Sequence, residues 1–490
     1  MLIITGISLF TVRIVLRTLG AEDYGINNVV GGIISMLSFF TGTMTSSSMR
    51  FFAYELGRDN LDQLNKYFNL TVLCYLGFSL MVLLLAETVG LWFLKTQMVI
   101  PENRLGSAKW VYQFSVFSFI IHLFVIPYNS IIIARERMNI YAYISVLQVV
   151  LKLSIVYLLV VFNFDKLKLY AILQFLVTII VSIFYITYCR YKFKESRILL
   201  TWDRDMFLEL LSFSGWSLFG ALAGVIRNQG INILLNVFFN PIVNAARAIA
   251  FQVNNAINQF VTNFYQAVRP QITKQYSSGN KQGMMKLVFR SSRFCYYLVL
   301  FFAIPILIET PYILNFWLDH VPEYTILFTR LVIITTMIES ISYPLMTAVS
   351  ATGNIKFFQI VTGGLLILNL PISYFLLKLG YSPQTTMYVA IFISVASQAS
   401  RILFMRLLHK MSVRKYIEEI IFIISIVTIL SLIVPFLLYR VMEVSFGRLL
   451  IITLSSFTGN GVIIYLVGLT KGERKTIKAF LISKLQSYTK

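Results

Sequence analysis

Acidic residues are scarce: 21 Asp and Glu stand against 42 Lys and Arg in 490 residues, a formal net charge of +21. Charge of either sign is thin as well, at 13% of residues, where soluble proteins carry about 25%. Cysteine is nearly absent. Cys74, Cys189 and Cys295 lie in or beside apolar stretches, with no CxxC neighbour and no histidine cluster. That excludes a disulfide framework and leaves small buried apolar side chains as the plain reading. His122, His320 and His409 are scattered, so no metal site is indicated, and nothing calls for a cofactor. No GxxxxGK[ST] phosphate loop occurs, which sets aside a nucleotide-driven pump. Long hydrophilic stretches are missing too. The longest connections, near 190–207, 269–285 and 95–109, are too short for a separate soluble domain.

What is present is apolar. Hydrophobic residues make up 57% of the chain and mean hydropathy is +0.75. They fall in runs of about 20, the length at which a helix crosses a bilayer. The expected fold is an all-α polytopic membrane protein of about fourteen helices. Two six-helix lobes, 1–190 and 206–410, are followed by a helix pair at 414–470 and a basic tail at 471–490. The opening run to Val12 has no basic n-region or A-x-A site, so no cleavable signal is expected. The first helix either runs to about Leu19, the favoured reading, or begins upstream of Met1.

The chain echoes itself. Glu87-Thr88 recurs as Glu309-Thr310 and Cys74-Tyr75 as Cys295-Tyr296, at separations of 222 and 221 residues. Arg50 pairs with Arg269, 219 residues on. Pro127 and the segment from Ala134 to Asn139 match Pro344 and Ala351-Thr352-Gly353-Asn354. Two copies of a helical bundle are a common transporter plan, and an even helix count per copy makes the repeats parallel.

Basic residues in alternate connections and the C-terminal tail number 28, against 10 on the opposite side. The positive-inside rule puts the first set and both termini in the cytoplasm. Topology therefore accounts for the charge, and nucleic acid is not an expected partner. The bilayer is.

Lys152, Arg227, Arg247 and Arg330 remain inside expected helices, with Glu87 and Glu339, and Arg13 and Arg17 belong with them. A charge at mid-membrane costs at least ~2.5–3.5 kcal/mol, so these groups should face water or pair internally. Arg227-Asn228-Gln229 is a polar patch deep in the seventh helix, and Arg247 follows on the eighth. Arg13, Arg17, Arg227 and Arg247 are expected to form a cationic chamber between lobes, with Asn228 and Gln229 beside them. Such a chamber attracts anions. Lys152, Arg330, Glu87 and Glu339 are read as internal pairs or ion-coupling groups. Arg50 and Arg269, read as helix ends, either anchor at the cytoplasmic interface or gate and recruit an anionic substrate. Glycines along the seventh helix (Gly215, Gly220, Gly224, Gly230) are read as hinges or as packing contacts.

The stretch Leu16-Arg17-Thr18-Leu19-Gly20 through Tyr24-Gly25 resembles the opening R-x-L-G-x-x-x-Y-G of polysaccharide-export flippases. Arg50-Phe51, Glu55-Leu56-Gly57-Arg58 and Tyr67-Phe68 are similar to the same group, as is Arg227 through Arg247. The resemblance covers essentially the whole chain. It points to the multidrug/oligosaccharidyl-lipid/polysaccharide exporter superfamily and, within it, to Wzx-type O-antigen or capsule repeat-unit flippases. It implies a non-enzymatic transporter in a bacterial inner membrane, whose two lobes rock to move an undecaprenyl-pyrophosphate-linked oligosaccharide outward. Polysaccharide polymerase and glycosyltransferases are its implied partners. The rival readings are a peptidoglycan-precursor flippase and a multidrug cation antiporter of the same fold. A membrane polysaccharide polymerase is disfavoured by short outer loops and the want of a general acid–base pair.

Overall fold

The computed structural model describes residues 38–96, 101–162, 164–199, 202–239, 241–318 and 321–475, with a few isolated positions before and after. Arg13 and Arg17 lie outside the described residues, as does most of the expected first helix. Among the described residues the chain is helical throughout, with no strand.

Thirteen rods follow in chain order. The first unit holds α1 (Ser38–Gly57), α2 (Leu61–Leu94), α3 (Leu105–Ala134), α4 (Met138–Val161) and α5 (Lys166–Lys192). Then come α6 (Arg204–Phe238), α7 (Pro241–Ser277), α8 (Lys281–Trp317), α9 (Thr325–Ala351), α10 (Lys356–Lys378) and α11 (Thr385–His409). The last pair is α12 (Val413–Val441) and α13 (Phe446–Gly468). The chain divides into two compact units, Met1–Leu218 and Phe219–Lys490.

Eleven of these rods are long and apolar enough to cross a membrane; α1 and α7 are not among them. The reason is composition. In α1 a Thr/Ser run bonds back onto its own helix, Thr45 Oγ1 to the Thr41 carbonyl at 2.8 Å and Ser48 Oγ to that of Met44 at 2.9 Å. In α7 amides recur: Gln252, Asn254, Asn255, Asn258, Gln259, Asn263 and Gln266. Polar helices amid apolar ones must face protein or water, since hydrocarbon offers their side chains no partners.

The internal repeat is written into the helix ends. After α1, Asp59 takes a left-handed turn (φ 56°) and Asn60 caps α2 through the Gln63 N–H at 3.1 Å. After α7, Gly279 takes the same turn (φ 78°) and Asn280 caps α8 through the Gly283 N–H at 2.9 Å. The exits of α3 and α9 repeat too, with positive φ at Glu136 and Gly353. A short side chain that caps and a residue that tolerates αL are what such a corner needs.

Two expected boundaries move. Neither Arg50 nor Arg269 ends a helix: α1 continues to Gly57 and α7 to Ser277, so the supposed loop near 269–285 is mostly helix. Arg50 is buried inside its bundle and does not mark an exit. Its guanidinium sits against the rings of Phe51, Tyr54 and Phe213 at 4.6–5.2 Å and lies 3.7 Å from Glu209.

Breaks inside rods are satisfied by side chains from neighbours. In α8, Pro311 has no N–H for the Leu307 carbonyl, and the backbone at Glu309 leaves helical geometry (φ −95°, ψ 18°). Arg330 of α9 supplies the missing donor, its Nε 3.1 Å from that carbonyl oxygen. In α2, at the π turn Ala86–Gly90, the Ala86 carbonyl accepts the Leu91 N–H and, in addition, Tyr112 Oη at 2.8 Å. A second π turn, Ile464–Gly468, is met by Tyr297 Oη at 3.0 Å from the Gly468 carbonyl.

In the second unit α12 and α13 dock on α8. Arg448 and Glu309, both buried, pair at 2.7 Å, and Arg293 pairs with Glu473 at 2.8 Å. The outward faces are apolar, as Leu76, Leu80 and Leu84 on α2 and Ile429, Ile433 and Phe436 on α12 illustrate.

Candidate functional site

Within the second unit, α6, α7, α9, α10 and α11 enclose a cavity of about 180 Å³. Its wall from α7 is one helical face: Arg247, Phe251, Asn254, Asn255 and Asn258 follow at intervals of four, three, one and three. From α6 come Arg227 and Asn228, from α9 Thr335, Thr336 and Glu339, and from α10 the buried Asn369. Ligand sites commonly combine an apolar frame with a few convergent polar groups. This one is unusually rich in amides.

Four of the residues singled out from sequence, Arg227, Asn228, Arg247 and Glu339, meet here. Arg227 Nη1 lies 3.0 Å from Glu339 Oε1, which also accepts from Ser394 Oγ of α11 at 2.9 Å. Arg247 is 5% exposed; it donates to Asn232 Oδ1 and stacks its guanidinium 4.3 Å from the Phe251 ring centre. Asn254 Oδ1 accepts from Thr336 Oγ1 at 2.6 Å, tying α7 to α9.

A fourth charge was missed. Arg401, 7% exposed, sits on α11 and interacts electrostatically with Glu339. Its Nη1 donates to Ser342 Oγ at 2.8 Å; Ser342 donates to Gln398 Oε1, and Gln398 Nε2 to Tyr416 Oη at 3.0 Å. Counted by connection, Arg401 falls with the basic residues just ahead of the 414–470 helix pair. Its signal was the polar stripe Ser394, Gln398, Arg401, at intervals of four and three on one face.

Arg227 and Arg247 line the cavity with a single carboxylate, Glu339, on which Arg401, outside the lining, also acts. One glutamate cannot neutralise three guanidinium groups, and the low dielectric strengthens what remains. The cluster is built to receive an anion.

The other expected residues lie elsewhere. Gln229 is exposed on α6 and holds Asn232 Nδ2 at 3.2 Å without lining the cavity. Glu87 is exposed at the α2 π turn, where Gln113 Nε2 donates to it at 3.2 Å. Lys152 lines a separate cavity of the first unit. Arg330 completes the α8 break, and Arg269 lies beside Tyr265, whose hydroxyl meets Thr347 Oγ1. Gly220 and Gly230 are packing glycines: a Cβ there would collide with the side chains of Gln359 and Leu370. No group of three His, Cys, Asp or Glu fit for a metal occurs among the described residues.

No protein-family model and no curated protein matches the sequence significantly. The fold, however, is that of the MATE-type transporters of the MOP superfamily. An outward-facing multidrug-resistance MATE transporter superposes with a TM-score of 0.71 at 12% identity, over 84% of this chain and 94% of that one. The MATE transporter ClbM, solved with Rb+, gives 0.66 at 15% identity over 83% and 94%. A MOP-superfamily transporter from Pyrococcus furiosus, described by the reverse polarity of its binding pocket, gives 0.64 at 12% identity over 83% and 93%. The chain shares the fold of these proteins, and eleven of its described helices are long and apolar enough to cross a membrane.

Proposed function

We propose that this chain is a flippase that carries an undecaprenyl-pyrophosphate-linked oligosaccharide from the inner to the outer leaflet of a bacterial cytoplasmic membrane by alternating access. The observation that carries the reading is the excess of Arg227 and Arg247 over the single carboxylate Glu339 in the lining of the second-unit cavity, with Arg401 acting on that carboxylate from outside the lining. A pyrophosphate entering hydrocarbon alone loses tens of kcal/mol of hydration. Fixed guanidinium groups replace that water with charge-assisted hydrogen bonds, and their planar forks suit phosphate oxygens. The amides along α7 offer neutral donors and acceptors to sugar hydroxyls, while the lipid tail stays in the bilayer.

A multidrug cation antiporter is the second reading, favoured by the MATE neighbours and by Glu339 in the cavity wall. Against it, Glu339 already accepts from Arg227 and Ser394 and lies within reach of Arg401, so it offers little free negative charge. The test is leaflet exposure of a labelled undecaprenyl-pyrophosphate oligosaccharide in liposomes with and without the purified protein. Protein-dependent appearance on the far leaflet supports the flippase. Uptake of an organic cation against a proton or sodium gradient, without lipid movement, supports the antiporter.

A further inference from the structure

The first unit contains a second and larger cavity, of about 650 Å³, between α3, α4 and α5. Three helices each turn a polar stripe into it. Ser115, Ser118, His122 and Asn129 line it from α3, at intervals of three, four and seven. Tyr141, Ser145, Gln148 and Lys152 follow on α4 at four, three and four. On α5 the stripe is Tyr170, Gln174, Thr178, Ser182 and Tyr185. Three independent sequences with helical polar periodicity, all converging on one space, are not what apolar packing requires.

Lys152 is the fifteenth residue of the 24 in α4, near mid-span, where a charge demands water or a counter-ion. No Asp or Glu is among the residues that line the cavity, and no bonding partner for Lys152 occurs among the described residues. His122 and Gln148 bond to nothing there either, and the buried Asn129 Oδ1 has no donor. Much of the rest is already engaged: Gln174 Nε2 donates to Tyr170 Oη at 2.8 Å, and Ser182 Oγ to the Thr178 carbonyl at 2.6 Å. The open valences therefore cluster on one side, around one ammonium.

We propose that this cavity binds an anionic monosaccharide unit, with Lys152 taking its carboxylate and the surrounding amides, hydroxyls and tyrosine rings taking its ring. The volume is that of an ordinary ligand site. A lone lysine is a point charge suited to a monoanion, whereas a phosphate cluster generally brings a guanidinium fork. A cationic ligand would meet a like charge. The choice of a sugar rests on the function proposed above; the preference for an anion rests on Lys152 alone.

The test is ligand-observed NMR on the full-length protein in nanodiscs, with glucuronate, glucose and acetate as probes. Glucuronate should bind saturably and more tightly than either of the others. Lys152→Gln should weaken it about ten-fold or more, the worth of one charge-assisted hydrogen bond. Lys152→Arg should retain most binding, and the component of binding lost in Lys152→Gln should persist in Arg227→Ala. Absent saturable binding in the wild type, or binding lost in Arg227→Ala and kept in Lys152→Gln, overturns the proposal. Acetate binding as tightly as glucuronate overturns the sugar, and glucose doing so overturns the anion preference. A protein that binds glucuronate through Lys152 but flips no lipid-linked sugar leaves this site standing and removes the transport reading. Flipping without such binding does the reverse.

Discussion

Arg227 and Glu339, 112 positions apart on α6 and α9, meet at 3.0 Å in the wall of a cavity that Arg247 lines as a second cation. The pair is partly open to solvent, with 17% and 28% of the side chains exposed. Glu339 thus orients Arg227 and moderates the mutual repulsion of the guanidinium groups without cancelling their charge. Removing Glu339 leaves Arg227 without its carboxylate, and removing Arg227 leaves Glu339 with the Ser394 hydrogen bond. A double-mutant cycle of Arg227→Ala and Glu339→Gln on thermal unfolding should give a coupling of about 0.5–3 kcal/mol. Additive effects would mean the contact is incidental.

Arg448 and Glu309 make the contrasting pair. Both are buried, at 7% and 1% side-chain exposure, and they tie α13 to the broken part of α8. Arg448→Ala leaves a buried carboxylate without its partner and should destabilise the protein by about 3–5 kcal/mol, read as a lower unfolding temperature in detergent. Protein that survives should still transport, because this pair lines no cavity described above.

Asn60 and Asn280 cap equivalent helices in the two units through the same bond. Asn60→Ala and Asn280→Ala should each cost about 1 kcal/mol. Comparable losses are expected from the shared geometry; a neutral result at either site would separate the two corners.

The π turn of α2 depends on a glycine. A Cβ at Gly90 would fall on the hydroxyl of Tyr112, a fully buried residue that serves the Ala86 carbonyl. Gly90→Ala should destabilise by about 1–3 kcal/mol through overpacking, while Gly224→Ala, with open space around it, should be neutral or slightly stabilising. Unfolding midpoints of the two variants distinguish the cases.

Asp165, in the connection before α5, is the group whose acidity bears on stability. Burial pulls its pKa up, but hydrogen bonds from Ser107 Oγ at 2.6 Å and from the Leu167 and Lys168 N–H groups, with Arg104 nearby, hold it below the usual value. A depressed carboxyl pKa contributes stability that is complete above the unfolded value, about 4, and is lost as pH falls through the folded one. Wild-type protein should therefore lose stability below about pH 4, with Asp165→Asn showing a shallower acid loss.

Much of this was legible in the sequence, for physical reasons. Helices and the repeat show because a bilayer enforces apolar runs of fixed length, and because capping corners need particular residues. Arg227, Arg247 and Glu339 stood out as charges deep in such runs, and they do come together. Arg401 did not stand out. It lies eight residues before the end of α11, among basic residues that a charge count assigns to the cytoplasm. An apolar run stops at its first charge, so the sequence alone puts helix exits at Arg50 and Arg269. Aromatic rings and Glu209 let the helix carry Arg50 inside, a compensation that comes from distant segments and leaves no local trace. Lys152 was visible, but its cavity was not, since the three polar stripes are weak individually and converge only in the fold.

The most direct test of the cationic site compares leaflet exposure of labelled undecaprenyl-pyrophosphate oligosaccharide in liposomes holding wild type, Arg247→Ala, Arg401→Ala, or the triple alanine variant with Arg227. Protein incorporation is matched by quantitation. Neither Arg247→Ala nor Arg401→Ala leaves Glu339 without the Arg227 bond, so each removes charge with limited disturbance. The account predicts a stepwise fall in rate as positive charge is removed, to background in the triple variant. Undiminished flipping by the triple variant would contradict it.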